Sequence, residues 1–433
     1  MHVEGMGGVQ AAVLGMVLLH GAAQWFLESV NRRYLDHDME SLPERLRQAQ
    51  DEATRAKTLR YQSARSRFEQ WNILYGTAVL TAVVFSGFLP WAFEHMTGGE
   101  GGSVWTVALF ILSVLLAVSV MEWPFDYYQA FVLEQRFGFN TSTPGLWWWD
   151  KAKGTLLSVA LGWPLLAGVV SLTEWAPRGW WLLGWGLIFG VQLLMVVLAP
   201  RFIMPLFNKF SPLPEGTLKD RLLSLAKRTS FSMGQILVMD GSRRSRHSNA
   251  FFTGFGRTRR VVLYDTLTDQ LAEPEVESVV AHEIGHAKLG HIPKMILMSA
   301  LGLLAGFLVI HTLSYAPWFS GAFGFEGGGP AVTLLLCALL SGPVLFWLHP
   351  LLNGGSRARE FEADAYAARW TEGSAPLIGA LIQLNESNLS QLTPHPWYRR
   401  FYYSHPTLAE RVRALETGSS AEGEGGVGRA RGR

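Results

Sequence analysis

The chain has 433 residues, 49% apolar and 17% charged, with 17 Trp. Soluble proteins carry about 25% charged residues, so this chain has too few charges to cover a water-facing surface of its size and is expected to be an integral membrane protein. Its formal net charge of +2 gives no reason to expect nucleic acid as a partner, and the single Cys337 excludes an internal disulfide.

A helix crossing a bilayer needs about 20 mostly apolar residues. Seven stretches qualify: residues 8–27, 71–93, 104–123, 154–172, 180–199, 295–315 and 331–349. The first lacks a basic leader and a small-residue cleavage site, so it reads as a span rather than a signal peptide. Trp71, Trp91, Trp123, Trp147, Trp148, Trp149, Trp180 and Trp181 crowd the span ends, as an interfacial aromatic belt would. Residues 28–70 read as a long charged cytosolic helix with a solvated or interfacial face. They hold nine Arg and Lys, whereas 94–103 and 316–330 hold none. Basic residues favour the cytoplasmic side, which predicts the N-terminus outside and the C-terminus inside. The excess of Arg over Lys and the Gly-rich tail favour a bacterial inner membrane over the endoplasmic reticulum membrane.

The chain therefore divides into spans one to five with their charged loop (1–199), a cytosolic region (200–294), spans six and seven (295–352), a second polar region (353–417) and a tail (418–433). The tail is too poor in apolar residues to pack and is expected to be disordered. Within 200–294 the pattern predicts an amphipathic helix over 216–229, strands around 235–239 and 259–264, and a helix opening at Pro274. The expected fold is a mainly α membrane protein of seven transmembrane helices with a cytosolic α/β domain.

That last helix carries His282-Glu283-Ile284-Gly285-His286, an HExxH motif. Two histidines four residues apart share one helix face and can hold one Zn²⁺, while Glu283, about 100° away, can reach a water at the metal as general base without being a ligand. The bland alternative is a solvated helix with two satisfied histidines. A catalytic zinc takes a third protein ligand. His291 fails the metzincin spacing, which needs Gly and His where Leu289 and Ile292 stand. The better candidates lie in Arg359-Glu360-Phe361-Glu362-Ala363-Asp364, two spans later and so on the same membrane side. Glu360 and Asp364 are one turn apart, suiting a ligand and a carboxylate that orients a ligand histidine. Glu362 points about 200° away from Glu360.

These residues resemble the type I CAAX prenyl endopeptidases, integral-membrane zinc metalloproteases. The resemblance covers nearly the whole chain. It includes Phe131-Val132-Leu133-Glu134, Pro205-Leu206-Phe207-Asn208-Lys209-Phe210, His247-Ser248-Asn249-Ala250, Arg260-Val261-Val262-Leu263-Tyr264-Asp265, the HExxH, the ExxxD and Ser404-His405-Pro406. It implies spans enclosing a large chamber and one Zn²⁺ per chain held by His282, His286 and Glu360. It also implies Glu283 as base, with Asn249 and His405 near the substrate carbonyl, and places Arg411 at the end of an HPxxxER string. The implied partners are the lipid bilayer and a peptide or protein substrate, prenylated or not; the implied reaction is hydrolysis near the C-terminus of CAAX-type proteins. Asn249-Ala250-Phe251-Phe252 is expected to form an edge strand that takes the substrate backbone by β-addition. A membrane quality-control protease would use the same site, and a metal-binding transporter is a reading from another class. The charged motifs lie outside the spans and no internal repeat is present, which weighs against a transporter.

Overall fold

The computed structural model describes residues 2–35, 37, 42–49, 51–98, 102–254, 259–327 and 329–427. Helix α1 (His2–Arg33) is followed by short α2 (Glu44–Ala49), long α3 (Glu52–Phe85) and α4 (Phe88–Thr97). Helix α5 (Val104–Tyr128) runs through a π-helical turn (Gln129–Glu134) into α6 (Gln135–Phe137), and α7 (Pro144–Trp175) and α8 (Trp180–Leu198) return across the bundle. Side-chain caps fix several of these starts: Asp51, Ser103 and Thr143 accept from Thr54 N, Thr106 N and Leu146 N.

Among the described residues six single helices are long and apolar enough to cross a bilayer, or seven if α3 and α4, bent by 55° at their break, are counted as one broken span. The expected seven is reached when that bent pair is counted as one span. Leu156, Leu194, Leu297 and Met298 project from these helices more than half exposed, as apolar side chains facing lipid would. The helices outrun their apolar windows, the last continuous run covering Gly329–Trp370.

The polar regions fold together. After α9 (Met204–Phe207) come β1 (Phe210–Pro212), α10 (Thr217–Arg228), β2 (Gln235–Met239), β3 (Ala250–Thr253) and β4 (Arg260–Tyr264), then α11 (Asp265–Gln270) and α12 (Glu273–Lys288). The strands form one sheet in the order β1-β2-β4-β3. β2 and β4 pair in parallel, Ile236 opposite Val261, while β1 and β3 pair antiparallel on the two edges. Val261, Val262 and Leu263 are all buried, as befits an apolar run covered on both faces. Leu222 and Leu225 of α10 and Val280 and Ile284 of α12 close the core over it.

Helix α13 (His291–Ser314) re-enters the membrane, α14 (Pro317–Gly321) turns, and α15 (Gly329–Leu345) passes through one 3₁₀ turn directly into α16 (His349–Trp370). Helices α17 (Ala375–Ser387), α18 (Pro396–Tyr402) and α19 (Leu408–Val427) finish the chain. Gly285 is what lets α12 and α16 touch: a Cβ there would stand 3.1 Å from Tyr366 Cβ and 3.2 Å from Ala363 Cα.

Two expectations need correction. Residues 28–70 are not one solvated helix, because α1 ends at Arg33 and α3 begins at Glu52. Glu28, Tyr61, Ser66, Phe68 and Gln70 are buried. Ser66 Oγ and Tyr398 OH each donate to Glu28 at 2.8 Å, and Asn31 Nδ2 donates to Gln391 at 2.9 Å. Polar groups that all find partners can be packed away from water, and here they tie the first span to the C-terminal region. In the expected disordered tail, residues 418–427 instead continue α19 as helix, against the helix propensity of their four Gly. Residues 428–433 lie outside the described residues.

Candidate metal centre

Helix α12 presents the HExxH histidines on one face. Its start is fixed by Glu275, whose carboxylate accepts from Ala272 N at 2.9 Å. Helix α16 crosses it at Gly285 and brings Glu360 opposite. His282 Nε2 and His286 Nε2 are 3.2 Å apart; Glu360 oxygens lie 3.4 Å from the first and 3.3 Å from the second. For metal bonds of about 2.0–2.1 Å, two corners of a tetrahedron stand about 3.3–3.4 Å apart. The two short contacts use different Glu360 oxygens; taking one donor atom per residue, all three lie within 4.8 Å of one another, close enough to converge on one Zn²⁺. Glu360 Oε2 is also buried without a hydrogen-bond partner, a stripped anionic oxygen that a cation would satisfy.

Each histidine is held from behind. Asp364 Oδ1 lies 2.8 Å from His282 Nδ1, which fixes the Nδ1–H tautomer and leaves Nε2 with its lone pair toward the centre. Arg411 clamps Asp364 with two bonds, Nε to Oδ2 at 2.8 Å and Nη2 to Oδ1 at 2.5 Å. Arg411 is set in the first turn of α19 by a reciprocal cap, Thr407 N donating to Glu410 Oε2 and Glu410 N to Thr407 Oγ1.

The support behind His286 comes from residues that no sequence motif marks. His286 Nδ1 lies 3.0 Å from His291 Nδ1, and His291 Nε2 lies 3.0 Å from Glu362 Oε2. With His286 Nε2 free for a metal, Nδ1–H donates to His291, whose Nε2–H then donates to Glu362. His291 is fully buried. Glu362 does point away from Glu360, as its helical angle requires, but it is not idle. The only signal was a histidine five residues beyond the motif.

Burial raises the Glu283 carboxyl above its ordinary range, reinforced by Glu360 and opposed by His282, His286 and His405. Burial disfavours a charged His282, but the Asp364 and Glu360 carboxylates outweigh it and hold the imidazole pKa above its usual value. His405 Nδ1 stands 2.7 Å from Glu360 Oε2, without hydrogen-bond geometry, on an exposed side chain. Asn249 is exposed, and its Oδ1 accepts from Ala250 N. It precedes the edge strand β3, which packs on α12, and touches none of the three converging side chains.

Two histidines, a facing buried carboxylate and an adjacent half-buried glutamate, on a chain of up to seven spans, define a membrane metallopeptidase. Residues 31–209 match a family model described as "CAAX prenyl protease N-terminal, five membrane helices", and residues 212–419 match "Peptidase family M48". The chain is 37% identical to "CAAX prenyl protease 1 homolog" of Oryza sativa subsp. japonica, over 78% of this chain and 82% of that protein. It is 35% identical to "CAAX prenyl protease 1" of Saccharomyces cerevisiae, over 91% and 93%. The crystal structure of S. mikatae Ste24p is similar at a TM-score of 0.85 with 31% identity, covering 94% of this chain and 98% of that one. This chain belongs to the CAAX prenyl protease 1 family of M48 metallopeptidases.

Proposed function

We propose that the protein is a zinc endopeptidase that hydrolyses peptide bonds near the C-terminus of prenylated CAAX-type proteins. The observation that carries this reading is the triangle of His282, His286 and Glu360 with Glu283 beside it, in a chain whose relatives are named CAAX prenyl proteases. Bound zinc would supply Lewis acidity, lowering the pKa of water toward about 7 and polarising the scissile carbonyl. Glu283 takes the proton of the attacking water and passes it to the leaving amine. His405 swings from Glu360 to donate to the developing oxyanion, and Asn249 donates from the start of β3, each contribution typically worth about 3 kcal/mol. The free edge of β3 pairs with the substrate backbone. Asp364 and Arg411 keep His282 in its binding tautomer. Asp364→Asn is expected to weaken zinc binding about 10–100-fold, measured by chelator competition. Glu362→Gln should have a smaller effect in the same direction, since the amide still accepts one hydrogen bond.

The test is detergent-purified protein incubated with farnesylated and unmodified CAAX peptides, with products mapped by mass spectrometry. Cleavage confined to the farnesylated peptide supports the reading. Equal cleavage of unrelated unfolded segments would favour the quality-control alternative. The N-out, C-in orientation is proposed from the basic loops alone, and a bacterial inner membrane from composition alone, whereas the relatives named above are eukaryotic. With Cys337 replaced, a cysteine at Glu326 should label from outside and one at Gly418 only after permeabilisation; the reverse pattern overturns the orientation.

A further inference from the structure

A groove that the proposed reaction does not use runs between α3 and the continuous rod of α5, its π-turn and α6. On α3 its wall is Lys57, Arg60, Ala64, Arg67 and Trp71. Their spacing of three and four residues puts them on one side of the helix, over a length of about 20 Å at 1.5 Å per residue. The α3 residues that line the cavity at His247 are Tyr61, Gln62 and Arg65, more than about 100° round the helix on average, so the groove opens away from the sheet.

Its two ends differ in chemistry. The end toward the bilayer is a cavity of about 650 Å³. Phe68 there stacks on Tyr128 at 5.4 Å between ring centroids, and Trp71, 69% exposed, closes it at the start of the second apolar span. The outer end is a second cavity of about 640 Å³ lined by Lys57, Arg60, Arg67 and Arg136, with no carboxylate in its wall. Among the described residues none of these four cations has an ion-pair partner. The two cavities share Ala64, Arg67 and Arg136. Arg67 lies one turn, about 6 Å, beyond Trp71, which is the depth of the headgroup layer outside the hydrocarbon core.

We propose that this groove binds an anionic phospholipid of the surrounding bilayer. The phosphate sits between Arg67 and Arg136, further headgroup charge faces Lys57 and Arg60, and an acyl chain lies along Phe68 and Trp71. Unpaired cations flanking an apolar slot at the membrane boundary are the chemistry that retains such lipids. The prenyl group of a substrate is the other apolar occupant. Prenylated C-termini are usually preceded by Lys and Arg, which four unpaired cations repel.

The test is native mass spectrometry of the full-length protein released from mixed micelles of dioleoyl phosphatidylglycerol and dioleoyl phosphatidylcholine. Wild type should retain one phosphatidylglycerol in preference to phosphatidylcholine. Each lost cation should weaken retention about fivefold, so Arg67→Gln/Arg136→Gln should weaken it about thirtyfold. Arg67→Lys/Arg136→Lys should restore it, and Lys227→Gln, on α10, should change nothing. Should the double glutamine variant fail to fold, the single variants carry the test, each about fivefold weaker than wild type. Undiminished retention in them overturns the proposal. Glycerol phosphate competing as well as the lipid would make this a soluble-anion site, and displacement by farnesyl cysteine methyl ester would make it a prenyl site; either result also overturns it.

Discussion

Glu283→Gln is expected to purify with its zinc and to cleave about 10²–10⁴-fold more slowly, the range that a positioned general base contributes. The two halves of that result have separate causes. Zinc is retained because Glu283 is not a corner of the triangle; those corners are His282, His286 and Glu360. Activity is lost because an amide of the same shape cannot accept the proton of the attacking water. Burial already disfavours the Glu283 anion, which makes it a stronger base than a solvated glutamate. Metal content by mass spectrometry and single-turnover cleavage of a farnesylated peptide read the two halves independently. Near-normal turnover would falsify the assignment of Glu283 as the base.

Glu360→Gln should fail at the earlier step. The substitution keeps the side chain's volume but removes the one negative charge among the three proposed ligands, so zinc affinity should fall by more than the 10–100-fold typical of a lost outer partner. Excess zinc should then recover part of the activity, as it should not for Glu283→Gln. Zinc uptake should also depend on pH in wild type. His282 is held above the ordinary imidazole range, so below that raised pKa each zinc displaces a proton, and apparent affinity should climb with pH until the imidazole is neutral. If Glu360→Gln keeps full zinc while Glu362→Gln loses it, the assignment of the third ligand is wrong.

The spans and the histidine helix were legible because both signals are periodic and local. Twenty apolar residues can do little but cross a bilayer, and histidines four apart must share a helix face. The strands at Gln235–Met239 and Arg260–Tyr264 were equally plain from their apolar runs. What the sequence withheld was set by contacts between distant segments. Nothing near Glu28 announces Tyr398, 370 residues away, so a charged stretch that is partly buried read as solvated. The link from His286 through His291 to Glu362 joins three helices, with two membrane crossings between His291 and Glu362. The metzincin spacing, which His291 fails, is a rule for ligands and is silent about a residue holding a ligand from behind. Gly285 sat in plain view inside HExxH, but its small size acquires meaning only where Ala363 passes 3.2 Å from its missing Cβ.

Only short links join the metal-site helices to the membrane spans. Helix α12 gives way to the sixth span after only Leu289 and Gly290. Glu360 rides on the helical run that begins inside the membrane at Gly329 and ends at Trp370. Spans adjust to a bilayer of the wrong thickness by tilting or kinking. A tilt of the seventh span relative to the sixth is expected to pass, along about 16 Å of helix from His349 to Glu360, into the distance between a carboxylate and two imidazoles that tolerate only a few tenths of an ångström. Acyl-chain length is then expected to change zinc affinity, with the tightest binding at one bilayer thickness in a chelator-competition series.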